Sequence, residues 1–212
     1  MMKIALVNGS PKMSHSASGC LLDHLEALLD NENHEITKHS LRRPKLHQQV
    51  AQDLSTCDAL VLAFPLYVDG IPSHFLSCLM QLDECLAQTE KEILVYAIVN
   101  CGFYEGEQAR WALAILENWC QRAKVRWGHG IGLGAGGMIP STANIPLDAG
   151  PNKNLGKALK RLARNILQRA SDQNLYTTAN IPKLAYKLAA EMGWRRSAKL
   201  NGLKRHDLSL RR

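Results

Sequence analysis

Lys3-Ile-Ala-Leu-Val-Asn-Gly-Ser-Pro-Lys-Met-Ser-His-Ser-Ala-Ser18 is the stretch that decides how this chain is read. Residues 3–8 are an apolar run without polar alternation, the pattern of a strand buried on both faces of a parallel sheet. Behind it, Leu21, Leu22, Leu25, Leu28 and Leu29 recur at helical spacing. The loop between them holds four serines (Ser10, Ser14, Ser16 and Ser18) and opens on Gly9. Gly9 is expected to let the backbone turn sharply after the strand. Free amides at a helix N-terminus, the positive end of the macrodipole and nearby hydroxyls together favour a phosphate. Ser16 and Ser18 stand at the capping positions, and Lys12 can add charge. The same residues also read as a capped helix after a turn, with the serines serving only the backbone. The loop contains no GxxxxGK[ST], and no GxGxxG follows the first strand, so neither common nucleotide loop is indicated.

The alternation continues outward. Residues 34–41 form a more polar strand, expected near a sheet edge, and 50–57 a short helix. Residues 58–64 and 92–100 are further buried strands. Pro72 opens a helix whose stripe is Phe75, Leu79, Leu82 and Leu86. Residues 105–123 are an amphipathic helix expected to turn Trp111, Ile115, Leu116 and Trp119 to the core. Residues 124–133 are a glycine-rich strand, 134–150 a loop, and 155–169 a last helix. Five β–α units predict an α/β fold, a doubly wound five-stranded parallel sheet with helices on both faces, over residues 1–172. A basic helical extension, 173–212, is expected to dock on this domain or on a second subunit.

The formal net charge is +7. Residues 183–212 hold nine Lys or Arg and two Asp or Glu, while residues 1–182 hold 17 of each sign. The excess therefore belongs to the tail. A solvated, docked helix is preferred there over binding of nucleic acid or an anionic membrane. Six scattered cysteines without CxxC or close Cys/His spacing fit reduced thiols and no metal or cluster site. The chain opens directly on a strand and has no membrane-length apolar run, so no leader and no membrane span are expected, and the expected compartment is the cytoplasm.

Ligands of such sheets bind beyond the carboxyl ends of the strands, at the switch point. After the third strand, Pro65-Leu-Tyr-Val68 leads into Asp69-Gly-Ile-Pro72, an apolar loop in which Tyr67 can stack on a flat ring. After the fourth comes Asn100-Cys-Gly-Phe-Tyr104, where Gly102 permits close approach and Phe103 and Tyr104 offer a second aromatic wall. Cys101 lacks the His/Asp company of a nucleophile. The run 128–137, GHGIGLGAGG, contains GxGxxG-like matches but has no helix start behind it, and reads as a closely packed strand. His129 reads as a core side chain.

Taken in order, NGSPKxxxSxS (8–18), PLYVDGIPSH (65–74), NCGFYEGEQ (100–108) and WGHGIGLGAGGM (127–138) resemble the NADPH-dependent FMN reductase branch of the flavodoxin-like superfamily. The resemblance covers roughly residues 3 to 140. It implies non-covalent FMN, its phosphate on Ser10 and on Ser16, Ala17 and Ser18, with Ala17 giving only a backbone N–H. The isoalloxazine would lie between the loop Pro65, Leu66, Tyr67, Val68 and the loop Asn100, Cys101, Gly102, Phe103, Tyr104. It further implies NADPH or NADH as reductant, a small acceptor such as a quinone or flavin, and a homodimer. Flavodoxin-type electron carriers, and binding proteins with a vestigial site, are the alternatives on this fold.

Overall fold

The computed structural model describes residues 1–29, 34–204 and 207. Its strands are β1 (Lys3–Asn8), β2 (Glu35–Ser40), β3 (Ala59–Pro65), β4 (Leu94–Asn100), β5 (Arg126–Leu133) and β6 (Leu175–Thr177). They form one sheet in the order β2-β1-β3-β4-β5-β6, every neighbouring pair parallel. The sheet thus has six strands rather than the expected five. β6 escapes a periodicity argument because it is three residues long and follows the polar stretch 171–174.

The helices are α1 (Ala17–Leu29), α2 (Gln48–Ser55), α3 (Ser73–Leu86), α4 (Arg110–Arg122), α5 (Ile139–Thr142), α6 (Lys153–Leu167) and α7 (Lys183–Leu200). Strand side chains alternate between two apolar layers, which is why the central strands carry no polar periodicity. Ala5, Val7, Leu60, Leu62, Val95 and Ala97 join residues of α2, α3 and α4 on one face. Ile4, Leu6, Val61, Tyr96 and Ile98 join α1 and α6 on the other. β2 is the polar edge strand. The sheet grows from β1 toward β2 on one side and toward β3 on the other, so the switch point lies between β1 and β3.

Two compact units are present, Met1–Ala179 and Asn180–Arg212. In the second, α7 carries Leu184, Leu188, Met192 and Trp194 exposed. Among the described residues no helix is long and apolar enough to cross a membrane.

α4 is rotated relative to the sequence reading. Its buried residues are Ala112, Leu113, Leu116, Trp119 and Cys120, whereas Trp111 is 58% and Ile115 40% exposed. The inner face of this helix is partly alanine. Arg110 lies over the Trp111 ring at 4.8 Å.

The glycine run of β5 has a specific packing reason. Gly128 falls at a register break between the β4 residues Val95 and Tyr96. A Cβ there would stand 2.3 Å from the Tyr96 ring. Without one, that ring reaches across, and its hydroxyl lies 3.0 Å from the carbonyl oxygens of both Asn165 and Ala170. Further along, a Cβ on Gly132 would meet the Gly106 carbonyl oxygen at 2.6 Å, and one on Gly134 the Tyr104 carbonyl oxygen at 2.0 Å. The missing side chains let two backbone segments touch.

Candidate functional site

The loops after β1, β3, β4 and β5 converge at the carboxyl edge of the sheet, and backbone groups do most of the joining. Gly9 N donates to Ala63 O at 2.8 Å, and Leu66 N donates to Asn100 O at 2.8 Å. Ala135 N donates to Phe103 O at 2.6 Å and Gly136 N to Cys101 O at 2.7 Å, which pins the β5 exit against the β4 loop. Thr178 Oγ1 donates to Tyr104 O from just beyond β6. The third-strand segment is tied to the first loop by His74, whose Nε2 lies 3.1 Å from Gly9 O.

Within the first loop, Asn8 is the organiser. Its Oδ1 accepts from Ser10 N at 2.9 Å, an Asx-type turn, and its Nδ2 donates to Ser16 Oγ at 3.2 Å. Ser16 is the N-cap of α1: its Oγ accepts the Gly19 amide at 3.0 Å. Ser18 is buried, and its Oγ accepts from Asn100 Nδ2 at 2.9 Å, which also donates to Phe64 O. Ser10 is buried and Lys12 exposed; Lys12 N donates to Ser10 Oγ at 3.4 Å. Ser10 and Ser16 therefore accept backbone amides and Ser18 accepts the Asn100 side chain, and by helix geometry the amides of Ala17 and Ser18 have no intrahelical carbonyl. Of the two sequence readings of this loop, the structure shows the built cap.

Gly9 is needed for a reason other than the expected one. Its φ is not positive, but a Cβ would lie 2.7 Å from the Phe75 ring, so the missing side chain makes room for α3. In contrast, His15 does take a left-handed φ of 49° just before the cap.

The β3 loop turns back on itself. Tyr67 and Gly70 exchange backbone hydrogen bonds at 3.1 and 3.0 Å around Val68 and Asp69. Both central residues have positive φ, 47° and 60°, as a tight hairpin turn requires. For β-branched Val68 that conformation is strained, and its side chain is fully exposed at the tip. Pro65 and Leu66 are half-buried beside it, and Tyr67 is exposed.

In the β4 loop Asn100 and Cys101 are buried, Gly102 and Phe103 exposed, and Tyr104 half-buried. A Cβ on Gly102 would meet nothing within 4 Å. Cys101 Sγ lies 3.8 Å from Phe103 O and 3.6 Å from Glu105 O. Burial pushes its thiol up, away from the thiolate a nucleophile needs, and the Glu105 charge adds to this while the contact to Phe103 opposes it. Among the described residues no group of three or more His, Cys, Asp or Glu could hold a metal ion.

The candidate cofactor residues thus lie at the carboxyl ends of β3 and β4, on the loops that follow β1, β3 and β4, or at the start of α1. Asn8, His74 and Thr178, which hold those loops together, were missed. Only Asn8 gave a local signal, as an Asn-Gly-Ser turn. Ser16→Ala should cost about 1 kcal/mol of stability through the lost cap, read as a shifted urea midpoint at unchanged slope.

Sheet order, two-sided helix cover and loop convergence define a flavodoxin-like α/β protein. Residues 2–76 match a family described by its flavodoxin-like fold. No curated protein matches the sequence. Among solved structures, an NADH:FMN oxidoreductase in its apo form is similar with TM-score 0.59 and 15% identity, over 81% of this chain and 91% of that one. An NAD(P)H:quinone oxidoreductase from Methanothermobacter marburgensis gives 0.56 and 14%, over 78% and 96%. A protein from P. pentosaceus described as an NADPH-quinone reductase gives 0.52 and 16%, over 81% and 99%. At these identities the likeness is one of fold.

Proposed function

We propose that this chain is an FMN-dependent oxidoreductase that takes electrons from NADPH or NADH and passes them to a small acceptor of the quinone or flavin kind. The observation that carries this reading is the α1 start. Its first-turn amides are held in place by the Ser16 cap and by the Asn100–Ser18 hydrogen bond, directly beside the two loops with exposed aromatic residues. An anion is favoured at such a helix end, and the residues present fit a phosphate joined to a flat ring.

In this reading the amides of Ala17 and Ser18, with the Ser10 and Ser16 hydroxyls, bind the phosphate, and Lys12 neutralises it from the solvent side. Tyr67 and Phe103 shield the ring from water, and the open face at Gly102 lets backbone come close to its polar rim. FMN supplies the hydride and electron chemistry when bound, so the chain needs no acid–base pair of its own. Buried, protonated Cys101 lines the site without reacting. A homodimer and a cytoplasmic setting belong to the same reading.

Purified protein should show the visible absorption of a flavin, or acquire it on addition of FMN, and should bleach under NADPH or NADH without oxygen. Bound FMN that no nicotinamide nucleotide reduces would make the chain an electron carrier. A protein that binds no FMN at all would overturn the reading.

A further inference from the structure

The solvent side of α6 is a row of cations. Lys153, Lys157, Lys160 and Arg164 follow one another at helical spacing on one face, all exposed, over about 16 Å of axis. α6 contains no acidic residue, and among the described residues none of these four has an ion-pair partner. Arg161, by contrast, is engaged by Asp172. Since residues 1–182 are neutral in sum, this row is a local concentration, not a share of a general excess. At its far end lies a cavity of about 300 Å³ between α6 and α1, lined by Leu28, Lys160, Ala163, Arg164, Leu167 and Gln168. Leu28, Ala163 and Leu167 give this open depression an aliphatic part, and Lys160, Arg164 and Gln168 a polar one.

We propose that this face of α6 docks on an anionic lipid bilayer, the cations meeting phosphate headgroups and the aliphatic part of the depression taking up hydrocarbon from the same surface. The charge is complementary, and the cavity decides the class of partner. A single-stranded nucleic acid calls for aromatic stacking surfaces beside its cations, and none of the six lining residues is aromatic. The direction of α6 also fits. It leads from the end of β5 back to the start of the parallel β6, so Lys160, Arg164 and the cavity lie toward the edge of the sheet opposite the candidate site. A bilayer held there leaves the carboxyl-edge loops open. The inference does not depend on the flavin reading.

The test is co-sedimentation of the full chain with vesicles of phosphatidylglycerol and phosphatidylcholine, compared with phosphatidylcholine alone. Binding is expected only with phosphatidylglycerol. It should fade as salt shortens the screening length from about 10 Å at 0.1 M to about 3 Å at 1 M. Lys157→Gln/Lys160→Gln should weaken binding about 25-fold, from about fivefold for each cation near the surface, with an unchanged melting curve. The proposal is overturned if phosphatidylglycerol vesicles are not bound, or if neutral vesicles bind equally well. It is also overturned if the double variant binds as the parent does, which would place the contact on another segment such as the basic tail. Displacement of the protein from vesicles by a short oligonucleotide at lower concentration than by free lipid would assign the row to nucleic acid. A change of oligomeric mass in the double variant would assign it to a second copy.

Discussion

Gly134→Ala is expected to destabilise the domain by about 3 kcal/mol, the upper part of the range for overpacked sites. For a domain of this size that is a fall of roughly 6–12 °C in melting temperature. The added methyl would stand 2.0 Å from the Tyr104 carbonyl oxygen, 2.6 Å from its carbonyl carbon and 2.8 Å from that of Glu105. All three are backbone atoms, so no flexible side chain can swing away. The β4 loop must move, and it is held on both sides by Ala135 N to Phe103 O and by Thr178 Oγ1 to Tyr104 O. Displacing it strains both connections at once. Gly102→Ala in the same loop is the control. Nothing lies within 4 Å of its Cβ position, so stability should change by less than about 0.5 kcal/mol. A Gly134→Ala protein melting with the parent would show that the close contact is not maintained in solution.

The second large effect is a dependence on acid. His129 is fully buried on β5, its ring edge-on to Tyr96 with 5.8 Å between centroids. Among the described residues neither ring nitrogen has a hydrogen-bond partner. Burial pushes its pKa down to about 4, with the Asp172 charge pulling the other way and Arg161 adding to the depression. The folded protein therefore keeps the imidazole neutral, while the unfolded chain takes up a proton near the ordinary value of about 6.5. Stability from this group is complete above about pH 6.5 and is lost as pH falls toward 4, about 3 kcal/mol in all. Below that both states are protonated, and the loss stops. The paired carboxylates, such as Asp58 held down by the Lys3 amide, Lys91 and Arg169 against the effect of burial, act at lower pH.

His129→Leu should flatten the difference curve between pH 4 and 6.5. It should match or exceed the parent's stability at pH 7, because two unpaired polar atoms leave the core. Denaturant unfolding of both proteins across that range reads the effect. Parallel curves would mean that another group carries the acid sensitivity, with His24 and His39, whose pKa values burial also lowers, next to be tested.

The central strands were legible because burial on both faces restricts the residue type: every side chain of β4 is buried, and only Tyr96 and Asn100 carry polar atoms. The ends of the site loops were legible because a strand must stop before a turn, and Gly, Pro and Ser mark where. What failed was phase and partnership. Trp111 and Ile115 lie one position off the buried row of α4, and only the approach of Ala109 and Ala112 to the sheet reveals which row that is. The glycines of β5 announce close packing, but nothing local says that Gly134 meets Tyr104 or that Gly106 meets Thr177. Gly9 was singled out for freedom of rotation, whereas the bulk of a ring 66 positions later excludes anything larger. Long-range contacts of this kind have no local signature.

The turn at Val68 sets two demands on one position. An asparagine or glycine would sit in that left-handed backbone at ease, yet either would take the hydrocarbon away from the tip. A valine keeps the tip apolar and leaves the turn under tension. Such a segment sits uphill of its neighbours in energy, so a rearrangement that lets Val68 return to a negative φ runs downhill there. If the carboxyl edge changes shape around a guest, this turn is where the backbone would yield first.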